Sequence, residues 1–158
     1  MRLVLRVVVV SVFLLSVVPS LDAVEPKKSK PSTVKPDDGK SVSGFTWQSE
    51  FEKAWKTAED KKRPLLLFLS MDGCYYCKKM ERDTYANEEI AKELRESFVP
   101  VRVKYRQDPQ LVRRYKVQVF PTTVIIYPGT KRVEKFPGYV GPSQMKSRLA
   151  SSLSTDRR

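Results

Sequence analysis

The residues best suited to chemistry are the only two cysteines of the sequence, Cys74 and Cys77. They are separated by two residues within "SMDGCYYCKKM" at 70–80. Thiolates can bind a metal, form a structural disulfide or exchange disulfides with another molecule. The chain has no histidine, and a structural zinc site needs four cysteine or histidine ligands. We therefore predict no metal site; a zinc ion shared across a dimer is the disfavoured alternative. Haem attachment is excluded because Lys78 stands where a histidine would be required.

The spacing of the two cysteines favours thiol-disulfide exchange over a structural role. A bridge across two residues closes a very short loop, so it restrains the unfolded chain little. Cys74 is predicted at a strand-to-helix junction, where unpaired backbone N–H groups and the helix dipole favour thiolate over thiol. Lys78 and Lys79 add positive charge. Cys77, one turn later, can attack a mixed disulfide. We predict Cys74 as the nucleophile and Cys77 as the resolving thiol.

The segments around this motif indicate an α/β fold. The run "LLLFL" at 65–69 is apolar throughout, which predicts a central strand covered on both faces by helices. Apolar periodicity, helix caps and turn residues predict the other elements. The helices are expected at 51–58, 87–97, 108–115 and from Pro142 onward, and the further strands at 99–105, 122–127 and 131–136. This order predicts a central mixed sheet of about four strands flanked by helices, with a parallel portion and a terminal hairpin.

The stretch from Pro64 to Gly141 resembles the thioredoxin-like thiol-disulfide oxidoreductases, especially the exported ones. The resemblance rests on the apolar strand, on the CxxC motif, on "VFPTTVIIYPG" at 119–129 and on "FPGYVGP" at 136–142. It implies a thioredoxin-like fold and a redox-active Cys74–Cys77 disulfide without a separate cofactor. It also implies a membrane electron donor as redox partner.

The resemblance further implies a substrate groove beside the cysteines. Pro121 is then a cis proline packed against the CxxC motif, and Phe120 lines the groove. The chain departs from its relatives at Gly73, where a tryptophan is common, and at the two tyrosines between the cysteines. We expect Tyr75, Tyr76, Phe120 and Pro121 to face the substrate, because aromatic rings at the rim favour apolar partner surfaces.

A buried carboxylate that many thioredoxins carry in the strand before the motif is absent. Its position aligns with Phe68, and its usual lysine partner aligns with Arg102. The loss leaves open which group accepts the proton of Cys77. Asp72 is the nearest carboxylate along the chain, although aspartate is also a common turn residue.

The remainder of the sequence predicts domain organisation and location. Residues 1–23 have the outline of a secretory signal peptide, since two arginines precede an apolar run of about 12 residues, shorter than the roughly 20 of a membrane-spanning helix. An uncleaved anchor is the alternative. Residues 24–44 are a disordered linker rich in proline and lysine, 45–154 the thioredoxin-like domain, and 155–158 a tail. We expect the protein to be exported and to be periplasmic or secreted.

Charge and composition limit the function classes. The formal net charge is +12, and removal of residues 1–23, with two arginines and one aspartate, leaves +11. No basic stripe interleaved with aromatic residues is present, so we predict no nucleic-acid binding. We predict an exported, monomeric protein-disulfide oxidoreductase acting on disulfide-containing envelope or secreted proteins. The alternative is a non-catalytic thioredoxin-like binding or assembly module whose CxxC stays permanently oxidised.

Overall fold

The computed structural model of the chain describes residues 44–156. The predicted signal peptide and the linker up to residue 43 lie outside the described residues, as do the last two residues of the predicted tail. The elements, in chain order, are α1 (Phe51–Lys61), β1 (Leu65–Ser70), α2 (Tyr75–Met80), a π-helical segment (Glu81–Tyr85), α3 (Glu88–Ser97), β2 (Val99–Lys104), α4 (Pro109–Arg114), β3 (Thr122–Ile126), β4 (Val133–Pro137) and α5 (Pro142–Asp156). Within the described part, no helix has the length and apolar character needed to cross a membrane.

The four strands form one mixed sheet in the order β2-β1-β3-β4. β1 pairs in parallel with β2, and Phe68 stands opposite Arg102 in that register. β3 runs antiparallel to both β1 and β4, so β3 and β4 form the predicted terminal hairpin. The mixed sheet of four strands flanked by helices is confirmed.

The core consists of two apolar clusters, which divide the side chains of β1 between them. All six residues of β1 are buried, and successive side chains of a strand point to opposite faces. Leu66 and Phe68 join Cys77 and residues of α3 and α5 in one cluster. Leu65, Leu67 and Leu69 join residues of α1 and α4 in the other. This double burial explains why the strand is apolar at every position.

Capping side chains set the starts of α3 and α4, close to the predicted positions. The side chain of Asn87 accepts hydrogen bonds from the backbone N–H groups of Glu89 and Ile90, at 3.1 and 3.3 Å, at the start of α3. Asp108 accepts from the N–H groups at 110 and 111 in the same way, with Pro109 in the first turn of α4. Such caps satisfy donors that a helix leaves unpaired.

The segment that precedes α1 protects the edge of the sheet. The N–H of Gln48 donates to the carbonyl of Pro100 at 3.0 Å, and the N–H of Arg102 donates to the carbonyl of Gln48 at 2.8 Å. The segment thus adds a short parallel bridge to β2 and covers backbone groups that an edge strand would otherwise expose. Trp47 is buried within it.

Candidate active site

The two cysteines lie where the carboxyl end of β1 leads into α2. They are joined by a disulfide with a Cα–Cα distance of 5.3 Å. Cys74 is the N-cap of α2, and its Sγ accepts a hydrogen bond from the N–H of Cys77 at 3.1 Å. Cys74 is half-buried, whereas Cys77 is buried. A partner can therefore reach Cys74 more easily than Cys77, which is the arrangement that a nucleophile and a resolving thiol require.

Gly73 supplies the turn that precedes the cysteines. Its φ of +74° lies in the left-handed region, which side-chain-bearing residues adopt only at a cost. A Cβ at this position would meet no atom within 4 Å. The backbone conformation, and not lack of space, thus explains the glycine.

The loop before β3 has the cis proline that the resemblance implied. The Phe120–Pro121 peptide bond is cis, Pro121 is buried and Phe120 is half-buried. Cys74 and Phe120 both pack against the core cluster that contains Cys77. The carbonyl of Pro121 accepts a hydrogen bond from the N–H of Gly138 at 2.8 Å, which ties the loop to the end of β4.

An aromatic rim of Tyr75, Tyr76 and Tyr139 borders the cysteines. Tyr75 and Tyr76 are 67% and 56% exposed, with ring centroids 5.3 Å apart. The ring of Tyr76 lies 6.4 Å from that of Tyr139, over which the Lys79 ammonium stands at 5.0 Å. Tyr139 was not predicted as part of this rim. The sequence pointed to it only through its place within "FPGYVGP", because the residues that it contacts lie about 60 positions away along the chain.

The position of the missing carboxylate is filled by an aromatic cluster. The ring of Phe68 lies 5.8 Å from that of Trp47 and 5.0 Å from that of Tyr85. The hydroxyl groups of Tyr85 and Thr123 are hydrogen-bonded at 2.7 Å, and burial raises the pKa of Tyr85 above its ordinary value.

A different acidic residue, Glu81, follows Cys77 by one helical turn. The N–H of Glu81 donates to the carbonyl of Cys77. An oxygen of its carboxylate is 3.5 Å from a guanidinium nitrogen of Arg102. By contrast, Asp72 lies in a turn, is 53% exposed, and faces Lys104 and Arg106 at 3.7 and 4.0 Å. The structure supports the turn role of Asp72, and it shows in Glu81, which was not predicted, an acidic residue one turn from Cys77.

A charged cluster follows on the exposed side of α2. Hydrogen bonds from Arg82 and then from Lys79 lower the pKa of Asp83 from 3.8 to about 2. The hydrogen bond with Asp83 in turn raises the pKa of Lys79. Among the described residues, no group of three or more potential ligands could hold a metal ion. The chemistry that the arrangement offers is that of the two sulfurs.

Comparison with curated proteins finds partial relatives. Human spermatogenesis-associated protein 20 is 32% identical over 83 residues, which is 52% of this chain but only 10% of that protein. The UBX domain-containing protein 7 homolog of Dictyostelium discoideum is 28% identical over 109 residues, or 67% of this chain and 22% of that protein. The chain therefore spans only a small part of these curated relatives.

Comparison with solved structures confirms the fold. A thioredoxin from Thermus thermophilus superposes with a TM-score of 0.60 at 22% identity, covering 70% of this chain and 88% of that one. The DsbH oxidoreductase superposes with a TM-score of 0.63 at 21% identity, covering 72% and 87%. The model of the thioredoxin-like domain matches residues 51–152, well over half of the chain. With its CxxC motif, its mixed sheet and this match, the chain belongs to the thioredoxin-like family.

Proposed function

We propose that the protein is an exported thiol-disulfide oxidoreductase that reduces or exchanges disulfides in envelope or secreted proteins. The observation that carries the proposal is the unequal accessibility of the two cysteines: Cys74 caps α2 and is half-buried, while Cys77 is buried. The site lies beside a cis-proline loop in a member of the thioredoxin-like family. Export is supported by the signal-peptide character of residues 1–23.

The reaction proceeds through a mixed disulfide. In the reduced protein, the Cys74 thiolate attacks one sulfur of the partner's disulfide, forms a new S–S bond and releases the other sulfur as a thiolate. The Cys77 thiolate then attacks Cys74, which re-forms the Cys74–Cys77 disulfide and frees the second partner sulfur. Two electrons pass from the dithiol to the partner, whose leaving thiolates take up protons. The reverse sequence oxidises a partner dithiol.

Glu81 is the group that we propose as proton acceptor for Cys77. It stands one turn from Cys77 on the same helix, and Arg102 faces its carboxylate. Arg102 is 11% exposed on its side chain and Glu81 28%, so the pair is shielded from bulk water enough to hold its geometry. Removal of the Cys77 proton by a carboxylate would generate the attacking thiolate.

The proposed partners follow from the rim and from the location. Tyr75, Tyr76, Phe120 and Pro121 would contact the polypeptide that carries the disulfide, since exposed aromatic rings contribute large apolar contact areas. A membrane electron donor would restore the dithiol. We propose that the protein acts as a monomer and without a bound cofactor.

Active-site variants test the proposal directly. Cys74→Ser should abolish reduction of a protein disulfide such as that of insulin, whereas Cys77→Ser should accumulate covalent adducts with the partner. Lys56→Gln, which changes an exposed residue of α1 and keeps both cysteines, serves as the folded control. Full activity of the Cys74→Ser protein would refute the mechanism. A redox titration of the Cys74–Cys77 pair gives a second test. If it shows no transition between the dithiol and the disulfide from roughly −120 to −270 mV, the range of exchange catalysts, the non-catalytic module is favoured.

A further inference from the structure

A groove of about 360 Å³ lies beside the cis-proline loop. One wall is the loop that follows α4, and the other is the end of β4. The lining residues are Lys116, Val117, Gln118, Val119, Thr122, Lys135 and Pro137. Val119 is exposed, and Lys116, Lys135 and Pro137 are exposed as well. The groove is thus an open surface feature with apolar and cationic groups.

The groove adjoins the cis-proline loop of the candidate active site. Val119 and Thr122, which line it, are the neighbours on either side of Phe120–Pro121, and the hydroxyl of Thr122 donates to the carbonyl of Val119 at 2.7 Å. Thr122 is paired with Pro137 across β3 and β4. A polypeptide that crosses the cis-proline loop while its sulfur is bonded to Cys74 would therefore lie next to this groove.

The charge of the groove is of one sign. Lys116 and Lys135 are its only charged lining residues. The Lys135 ammonium donates to the carbonyl of Tyr115, an uncharged partner, at 3.3 Å. Among the residues that the structure describes, no carboxylate pairs with either lysine. The groove consequently attracts anions, and its apolar wall of Val117, Val119 and Pro137 can bury an aliphatic side chain.

The end of α4 sets the position of Lys116. Its φ of +50° is in the left-handed region, which commonly ends a helix. The N–H of Lys116 donates to the carbonyl of Arg113 at 3.1 Å, and the N–H of Val117 donates to the carbonyl of Val112 at 2.9 Å. These hydrogen bonds close the helix and hold Lys116 at the edge of the groove.

We propose that the groove is a subsite for an acidic and apolar segment next to the reactive cysteine of the partner polypeptide. An aliphatic side chain of that segment would pack against Val117, Val119 and Pro137, and flanking Asp or Glu side chains would meet Lys116 and Lys135. The inference rests on the proposed function, because it places the segment through the partner's bond to Cys74. It assigns the site a preference for acidic over neutral sequences.

Binding of unreactive peptides to the full chain tests the subsite without requiring disulfide chemistry. The probes are two fluorescent peptides in which a serine replaces the reactive cysteine. The acidic peptide has Glu-Val-Glu on both sides of that serine. The matched neutral peptide has Gln-Val-Gln at the same positions. We expect the oxidised protein to bind the acidic peptide about three- to tenfold more tightly, as two exposed charge pairs would provide, and to lose this preference as salt rises.

Paired variants separate the groove from the overall positive charge. Lys116→Gln with Lys135→Gln should abolish the preference. Lys56→Gln with Lys92→Gln, which removes the same charge from α1 and α3, should retain it. Equal affinity for both peptides, or an equal loss in the two double variants, overturns the subsite. The acidic preference could depend on Lys116 and Lys135 in a protein that does not reduce cysteine-containing peptides. That result would support the subsite and overturn the proposed function.

Discussion

The Glu81 carboxylate lies 3.5 Å from the Arg102 guanidinium, which links the helix that contains Cys77 to strand β2. Arg102 is also the neighbour of Phe68 across β1 and β2. The carboxylate that many thioredoxins carry in β1 is thus replaced by a ring, and the cation opposite it is paired from the helix. The change places the negative charge one helical turn from the resolving cysteine.

Replacing Glu81 should slow the step that releases the partner. In Glu81→Gln, Cys77 would lack its proton acceptor, so resolution of a preformed Cys74 mixed disulfide should slow by roughly a hundredfold near neutral pH, the lower range of general-base effects. The rate should recover toward the wild-type value as pH rises and hydroxide removes the proton. Stopped-flow measurement of partner release across pH gives both quantities.

Two matched variants decide whether the effect belongs to Glu81 itself. Glu81→Asp keeps a carboxylate and should retain part of the rate. Glu59→Gln removes an exposed carboxylate from α1 and should resolve the mixed disulfide at the wild-type rate. An unchanged rate and pH profile in Glu81→Gln would show that another group accepts the proton.

Phe68, which occupies the position of the usual carboxylate, should contribute strongly to the free energy of unfolding. It is fully buried and packs against Trp47 and Tyr85. Truncation of a buried phenylalanine leaves a cavity, so Phe68→Ala should lower the free energy of unfolding by about 3–5 kcal/mol. Urea denaturation at fixed redox state measures this loss. Tyr75→Ala removes an exposed ring and should change stability by about 0.5 kcal/mol or less; similar losses in both variants would contradict the core role of Phe68.

Local signals predicted much of the fold. The continuous apolar run of β1 and the caps at Asn87 and Asp108 each act within a few residues, so the sequence alone located their elements. The cis bond before Pro121 was expected from the family resemblance, since a proline before a strand does not determine the isomer.

The features that were missed depend on contacts between distant segments. The π-helical segment Glu81–Tyr85 continues α2 without a distinct periodicity, and its last residue is held by a hydrogen bond to Thr123 on β3. The pairing of Glu81 with Arg102 joins a helix to a strand. Nearness along the chain had indicated Asp72, but the fold turns that residue toward Lys104 and solvent.

Asp83 should contribute to the acid dependence of stability. Hydrogen bonds from Arg82 and Lys79 lower the folded-state pKa of Asp83 to about 2, from 3.8. A lowered folded-state pKa stabilises the fold above the unfolded-state pKa, and this contribution is lost as pH falls from about 4 toward 2. Asp83→Asn should therefore show a shallower loss of stability in that range. Urea unfolding at several pH values checks this, and an unchanged acid slope in Asp83→Asn would contradict it.

Tyr85 should make the fold sensitive to alkali. Burial raises its pKa in the folded state, so the folded protein keeps a proton that the unfolded chain releases. This contribution is complete below the ordinary tyrosine pKa of about 10 and is lost as pH rises beyond it. Tyr85→Phe should remove that part of the alkaline dependence. Burial also raises the pKa of Tyr127, so stability should still fall somewhat with rising pH in Tyr85→Phe.

A double-mutant cycle with Thr123 isolates the hydrogen bond from the titration. At neutral pH, Tyr85→Phe leaves the buried Thr123 hydroxyl without this 2.7 Å partner and should cost about 1–3 kcal/mol of unfolding free energy. Thr123→Val leaves the tyrosine hydroxyl unpaired and should cost a similar amount. The double variant replaces both polar groups, so it should be more stable than the sum of the two losses predicts. Strict additivity in urea denaturation would show that the two hydroxyl groups do not depend on each other.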